Sequence, residues 1–237
     1  VTDDTNPTIN APDAVSVSTN DGCTAIEVSL GSATTSDNCS VASTTNDAPT
    51  AFELGETTVT WTVTDGAGNT ATTTQIVTVT DDTNPTINAP DAVSVSTNDG
   101  CTAIEVSLGS ATTSDNCSVA STTNDAPTAF ELGETTVTWT VTDGAGNTAT
   151  TTQIVTVTDD TNPTALCNDI TLTLEEGIAI ISTEDINSGS FDQCGEISIS
   201  ISQTDFDESH IGDNVVILTV TDSSGNTDTC EATVTVE

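Results

Sequence analysis

The sequence contains no lysine and no arginine, against 37 Asp and Glu in 237 residues, for a formal net charge of −37. A chain without cationic side chains cannot displace phosphate counterions, which excludes nucleic acid as a partner. It also offers no basic patch to an anionic lipid surface. Its only internal ion pairs involve a chain terminus or the single histidine, His210. Met and Tyr are absent, and two Trp and four Phe are the only aromatics, too few to fill cores and also line a sugar cleft. No apolar run approaches the roughly 20 residues that span a bilayer, so no membrane insertion of this segment is expected. The sequence carries no G-x-S-x-G, no phosphate loop and no His-rich centre. His210 stands beside a turn in Asp207-Glu208-Ser209-His210, without a Cys or Ser partner for proton transfer. Enzymatic activity is therefore not expected.

What is present is β-branched and repetitive. Thr makes up about a fifth of the residues, a bias toward strands. Residues 1–78 recur without a change as residues 79–156, and a diverged third copy follows. That copy keeps Asp159-Asp160-Thr161-Asn162-Pro163, matching Asp3-Asp4-Thr5-Asn6-Pro7, and Val220-Thr221-Asp222-Ser223-Ser224-Gly225-Asn226, matching Val63 to Asn69. A unit of this length is too long for a solenoid coil and suits a β-sandwich with its own core. Val59, Trp61 and Val63 alternate with threonines, the period of a half-buried strand, and Asp65-Gly66-Ala67-Gly68-Asn69 supplies a turn before a returning strand over 70–80. Ile26, Val28 and Leu30 read as one inward face, Val15 and Val17 as an opening strand, and Trp61 and Trp139 as core residues. The expected fold is all-β: tandem immunoglobulin-like sandwiches of about seven strands each, arranged as an extended rod. The expected repeats are 1–80, 81–158 and 159–237, joined at Val79-Thr80-Asp81-Asp82-Thr83-Asn84-Pro85 and its counterpart without a Gly/Ser spacer. Val1-Thr2 corresponds to the end of a last strand, so the sequence reads as a window in a longer array.

Four motifs in combination, Asn6-Pro7-Thr8-Ile9, Asp37-Asn38-Cys39, Leu54-Gly55-Glu56-Thr57-Thr58-Val59-Thr60-Trp61 and Thr64-Asp65-Gly66-Ala67-Gly68-Asn69-Thr70-Ala71, resemble the hyalin-repeat (HYR) family of extracellular immunoglobulin-like modules. In particular they are similar to arrays in large secreted surface proteins of Bacteroidota-type bacteria, including gliding and adhesion proteins. The resemblance implies a sandwich fold, an extracellular or cell-surface location, an adhesive or spacer role, and no catalytic residues. Family members often carry four cysteines per repeat. Against that pattern the first two repeats hold one pair each, Cys23 with Cys39 and Cys101 with Cys117, and the third holds Cys167, Cys194 and Cys230. The implied disulfides are Cys23–Cys39, Cys101–Cys117 and Cys167–Cys230, with Cys194 left over as a buried thiol or an intermolecular crosslink, the former favoured; the spacing does not suit zinc. Disulfides of this kind belong to an oxidising compartment.

The acids are clustered as well as numerous. In a seven-strand sandwich the N-terminus, the B–C loop and the F–G loop share one pole. That places Asp81, Asp82, Asn84, Asp115, Asn116, Asp143 and Asn147 together at the first junction, with Asp21 and Glu56 approaching from the preceding repeat. Asp159, Asp160, Asn162, Asp192, Asp222 and Asn226 repeat the set at the second junction, and Asp3, Asp4, Asp37, Asp65 and Asn69 form it at the chain's start. Asp, Asn and carbonyl oxygens are the hard ligands that Ca²⁺ takes six to eight at a time, so Ca²⁺ is the expected cofactor. The same residues also form turns without any metal, and no EF-hand loop is present. The expected function is a stalk or adhesive fibre segment, stiffened by intradomain disulfides and junction Ca²⁺. The alternatives are a self-assembling filament or surface-layer subunit, and a ligand- or carbohydrate-binding accessory module. Its partners are the neighbouring repeats, with a cell-surface or matrix ligand and self-association as further candidates. Two outcomes follow, one from composition and one from the expected rigid sandwiches: trypsin leaves the intact mass unchanged, and the folded chain outlasts minutes of exposure to a broad-specificity protease, read by mass spectrometry.

Overall fold

The computed structural model describes residues 2–237. The first repeat contains β1 (Thr8–Asn10), β2 (Val15–Ser18), β3 (Thr24–Ile26), β4 (Thr34–Ser36), β5 (Val41–Asn46), β6 (Ala51–Glu53), β7 (Gly55–Asp65) and β8 (Thr70–Thr80). The second repeats these as β9 (Thr86–Asn88), β10 (Val93–Ser96), β11 (Thr102–Ile104), β12 (Thr112–Ser114), β13 (Val119–Asn124), β14 (Ala129–Glu131), β15 (Gly133–Asp143) and β16 (Thr148–Thr158). The third has β17 (Ile170–Leu172), β18 (Ile178–Ile180), a one-turn helix α1 (Thr183–Ile186), β19 (Ile197–Ile201), β20 (Asp205–Asp207), β21 (Gly212–Asp222) and β22 (Thr227–Val236). By contact density the chain falls into two compact units: Val1–Ala89 with Ser110–Asn124 and Thr138–Thr151, and Pro90–Gly109 with Asp125–Val137 and Thr152–Glu237. The first junction lies wholly in the former and the second wholly in the latter.

A long hairpin frames each sandwich. In the first repeat β7 pairs antiparallel with β8 from Gly55–Val79 to Thr64–Thr70. The sheet order is β2-β8-β7-β5, with β2 parallel to β8, and the short pairs β1–β4 and β3–β6 complete the repeat. The alternation along β7 turns Val59, Trp61 and Val63 inward. Ala25 and Phe52, facing each other across β3 and β6, close over Val59, Trp61, Val77 and Val79. In the third repeat the order β17-β22-β21-β19 recurs, and Ile186, Phe206, Val216, Leu218, Val220, Val234 and Val236 form the core. The strand expected to run through Val28 and Leu30 stops at Ile26, because Glu27 turns into the left-handed region at φ 56°. Val28 and Leu30 pack on the core from irregular backbone instead.

One polar pair is buried in the first core. The Trp61 indole N–H donates to Gln75 Oε1 at 3.0 Å. Gln75, itself 2 % exposed, donates through Nε2 to the carbonyls of Asp13 (2.7 Å) and Leu30 (3.0 Å). In the third repeat the same two positions are Leu218 and Ala232, so the indole donor and its amide acceptor have left together. Breaking the pair on one side is expected to be costly. Gln75→Leu strands the indole N–H and two carbonyls, each worth about 1–3 kcal/mol. The first repeat should unfold at clearly lower urea, read by Trp61 fluorescence in a Trp139→Phe background.

Candidate metal and cysteine sites at the repeat junctions

The upstream pole of every repeat is organised by the aspartate that ends its long strand. Asp65 Oδ1 accepts from the backbone N–H groups of Ala67 (2.9 Å) and Asn69 (2.7 Å), and Oδ2 accepts from Asn69 Nδ2 (2.7 Å). Asp143 and Asp222 repeat the turn with Asn147 and Asn226. Each asparagine amide then reaches the incoming chain: Asn69 donates to the Asp3 carbonyl (3.1 Å), Asn147 to that of Asp81 (3.0 Å), Asn226 to that of Asp159 (3.0 Å). Burial pushes the carboxyls of Asp65, Asp143 and Asp222 upward, but the asparagine side-chain and turn N–H bonds outweigh it. All three lie below the ordinary value of 3.8.

This clamp gathers three carboxylates per pole. One oxygen from each of Asp3, Asp37 and Asp65 lies within 4.8 Å of the others, and the same holds for Asp81, Asp115 and Asp143 and for Asp159, Asp192 and Asp222. Two oxygens on opposite sides of a Ca²⁺ ion stand about 4.8 Å apart, twice a Ca–O bond of ~2.4 Å, so the spacing fits that ion. The separation is also well inside the screening length of ~8 Å at physiological salt, and no Lys or Arg exists to offset the repulsion. At the first junction Asp81 is 6 % exposed. Its Oδ2, Asp115 Oδ1 and Asn116 Oδ1 are buried without a hydrogen-bond partner. The donor set, all hard oxygen, suits a divalent cation.

The remaining sequence-predicted ligands are placed elsewhere. Asn69, Asn147 and Asn226 turn their amide nitrogens on the aspartates and so act as clamps. Asp82 and Asp160 accept from Ser18 and Ser96 of the preceding repeat. Asp4, Asn84 and Asn162 are exposed. Asp21 and Glu56 are exposed and stand outside the carboxylate groups. Asn116 contributes more than expected: its Nδ2 donates to Thr19 Oγ1, the Gly22 carbonyl and Asp81 Oδ1, each at 3.2 Å, which ties the two repeats. His210, half-buried, bonds Asp207 Oδ1 at 2.9 Å and meets Phe206 edge-on, a structural contact.

The cysteine pairing differs from the sequence expectation in the first two repeats. Cys23 is bonded to Cys117, with Cα atoms 4.7 Å apart, so the bond crosses the junction; it is not Cys23–Cys39, nor is Cys101 bonded to Cys117. The reason is the length of the hairpin. Cys23 follows β2, whose end lies beside Thr80, whereas Cys39 sits with Asp3 and Asp65 at the other end of β7. Eleven strand residues at ~3.3 Å each separate the two poles, far beyond the Cα spacing a disulfide tolerates. Cys167 and Cys230 are bonded within the third repeat. These bonds span 94 and 63 residues of sequence, so in the chain-entropy model each stabilises by about 4–5 kcal/mol.

The carboxylate clamp carries a pH signature. A depressed folded-state pKa means that the stabilisation is fully present above the unfolded value and is lost as pH falls through the folded one. In EDTA, Asp222→Asn should therefore be less stable than the native chain at pH 7. The gap should close as pH drops below the ordinary aspartate value of 3.8, measured by urea midpoints across pH 7 to 2.5.

The HYR domain model matches residues 2–79 and 80–157. No curated protein sequence matches the chain. Among solved structures, the chain is similar to protocadherin gamma B2 extracellular cadherin domains 3–6, at 12 % identity and TM-score 0.41 over 98 % of this chain and 76 % of that one. It is likewise similar to mouse cadherin-23 EC22–24, at 11 % identity and TM-score 0.40 over 99 % of both chains. Drosophila N-cadherin EC1–4 matches at 11 % identity and TM-score 0.40, over 98 % and 75 %. With both identical repeats matched along nearly their whole length, the chain belongs to the HYR domain family.

Proposed function

We propose that this chain is a segment of an extracellular stalk or adhesive fibre whose repeats, 1–80, 81–158 and 159–237, are fastened by Ca²⁺ at each junction. The observation that carries this reading is the buried, unpartnered Oδ2 of Asp81, a residue whose carboxylate is grouped with those of Asp115 and Asp143 and accepts from Asn116 through Oδ1. A buried carboxylate oxygen without a partner is costly unless an ion or donor meets it, and a chain without Lys or Arg has no internal cation to send. Asp81, Asp115, Asp143 and the Asn116 carbonyl oxygen would hold the ion at the first junction, and Asp159, Asp192 and Asp222 at the second. Asp3, Asp37 and Asp65 form the equivalent set at the first repeat. The ion would neutralise carboxylates drawn from the linker and two loops, and so fix the linker on its repeat. Disulfides support an oxidising, extracellular setting, and the tandem arrangement supports a spacer or multivalent adhesive role.

A second reading, self-association into a filament or surface layer, is favoured by one feature of the third repeat. Where the outer face of β7 carries Thr58 and Thr60, that of β21 carries Val215 (62 % exposed) and Ile217 (41 %). Ile178 (59 %) likewise replaces Thr24.

Calcium titration by calorimetry and small-angle scattering test both readings. The full chain should bind Ca²⁺ with Kd in the range of about 10⁻⁴–10⁻³ M, and Asp81→Asn combined with Asp143→Asn should remove one site. EDTA should lower the melting temperature and broaden the scattering ensemble. Absence of binding heat up to 10 mM Ca²⁺, a concentration of roughly ten Kd or more, would overturn the junction-ion reading. Growth of particle mass with concentration would favour assembly.

A further inference from the structure

The two junctions share their turns, carboxylates and cysteines and differ at Asn116, which is Gln193 at the second, yet only the first carries a disulfide. At the first, Cys23 projects from the turn Asn20-Asp21-Gly22, closed by the Asp21–Thr24 bridge and by Ile26 N–H donating to Asn20 Oδ1 at 2.8 Å, with Gly22 at φ 59°. At the second, Cys101 projects from Asn98-Asp99-Gly100, closed by the Asp99–Thr102 bridge and Ile104 N–H on Asn98 Oδ1 at 2.8 Å, with Gly100 at φ 61°. The receiving side matches too. Cys117 is held by its N–H on Asp115 Oδ2 at 2.8 Å and Cys194 by its N–H on Asp192 Oδ2 at 2.6 Å. Cys101 and Cys194 already face each other. The Cys101 thiol donates to the Gln193 carbonyl at 2.8 Å, the Cys194 thiol to the Gly100 carbonyl at 3.3 Å, and the two sulfurs are within hydrogen-bonding reach.

We propose that Cys101 and Cys194 form a second inter-repeat disulfide, so that each junction of this chain is closed covalently by the same pair of turns. The oxidant is an organic disulfide, R–S–S–R. One cysteine sulfur attacks it and releases R–S⁻; the other then displaces the second R–S⁻ and forms the Cys101–Cys194 bond. The two thiol protons leave on the two R–SH products. Cys194 is thereby neither a surplus thiol nor an intermolecular crosslink. The third repeat has Gly177 where Cys23 and Cys101 stand, so this pattern does not continue from its far pole, and its remaining cysteines bond to each other internally. The proposal adds a covalent link to the junction reading and stands without calcium.

The test uses the full chain, oxidised with oxidised glutathione in EDTA, then denatured and alkylated. The expected product has one modified sulfur, alkylated or glutathionylated, at Cys39, and Asp/Glu-specific cleavage yields the unique Cys194 peptide crosslinked to a Cys101-type peptide. Cys194→Ser should then show two modified sulfurs, Cys39 and Cys101. Because residues 1–78 and 79–156 yield equal-mass peptides, Cys101→Ser identifies the partner: it should free Cys194, whereas Cys23→Ser should leave Cys194 bonded. Three modified sulfurs in the native chain would overturn the proposal. So would a single one at Cys194, which would instead mark pairing within repeats and leave none in Cys194→Ser.

Discussion

Each repeat depends on one carboxylate, the aspartate that ends the long hairpin strand. Asp65, Asp143 and Asp222 accept the N–H groups of the following turn and fix an asparagine, and that asparagine holds the carbonyl of the incoming linker. Without this chain of bonds the linker aspartate would have no defined position, and the three carboxylates would not converge. The arrangement also explains how Asp65, Asp143 and Asp222 stay ionised without a single Lys or Arg in the chain. Backbone N–H groups and amide side chains supply the positive ends of their dipoles where a cation would otherwise be required.

Comparing the identical repeats separates what the repeat does by itself from what its neighbour adds. Asp3 and Asp81 sit in the same sequence and the same turn, but Asp3 is half-buried while Asp81 is 6 % exposed. The difference comes from the preceding repeat, whose Thr19 and Gly22 meet Asp81 and Asn116. The acid group at a junction is therefore a property of two repeats in sequence. Burying it costs more than burying apolar surface unless something compensates the charge, and the proposed junction ion rests on that cost.

Much of this was legible in the sequence. Thr/Val alternation announced the long hairpin, and the Asp-Gly-Ala-Gly-Asn turn fixed its ends. Counting loops in a sandwich places Asp81, Asp115 and Asp143 at one pole, where the structure groups them. The same counting sets Cys23 at the opposite pole from Cys39, but the resemblance, applied repeat by repeat, pairs cysteines within one repeat. It misleads because the long hairpin, with its eleven-residue β7, holds the two poles too far apart for that bond and brings Cys23 to Cys117 of the next repeat. Which way Asn69, Asn147 and Asn226 point their amides was not legible either, since asparagine is both donor and acceptor and only the carboxylate beside it selects the nitrogen.

The third repeat shows which parts of this design are interchangeable. Its core exchanges Trp61 and Gln75 for Leu218 and Ala232, a polar pair for an apolar one, and it replaces the β1–β4 pairing with bridges at Thr164–Phe191 and Cys167–Asn187. Its internal disulfide, Cys167–Cys230, stands where the first repeat has Ala11 and Thr73. Through these changes the carboxylates and the cysteine of the upstream pole are kept: Asp159, Asp192, Asp222, Asn226 and Cys194 stand where Asp81, Asp115, Asp143, Asn147 and Cys117 do, while Gln193 takes the place of Asn116. A core can be rebuilt with any apolar set of suitable volume. A pole that must meet the fixed far end of an unchanged neighbour has less freedom, because its partner groups are set by the other repeat, and here it changes at Gln193 while keeping its three carboxylates. The junction, more than the core, is therefore where this sequence is most tightly constrained.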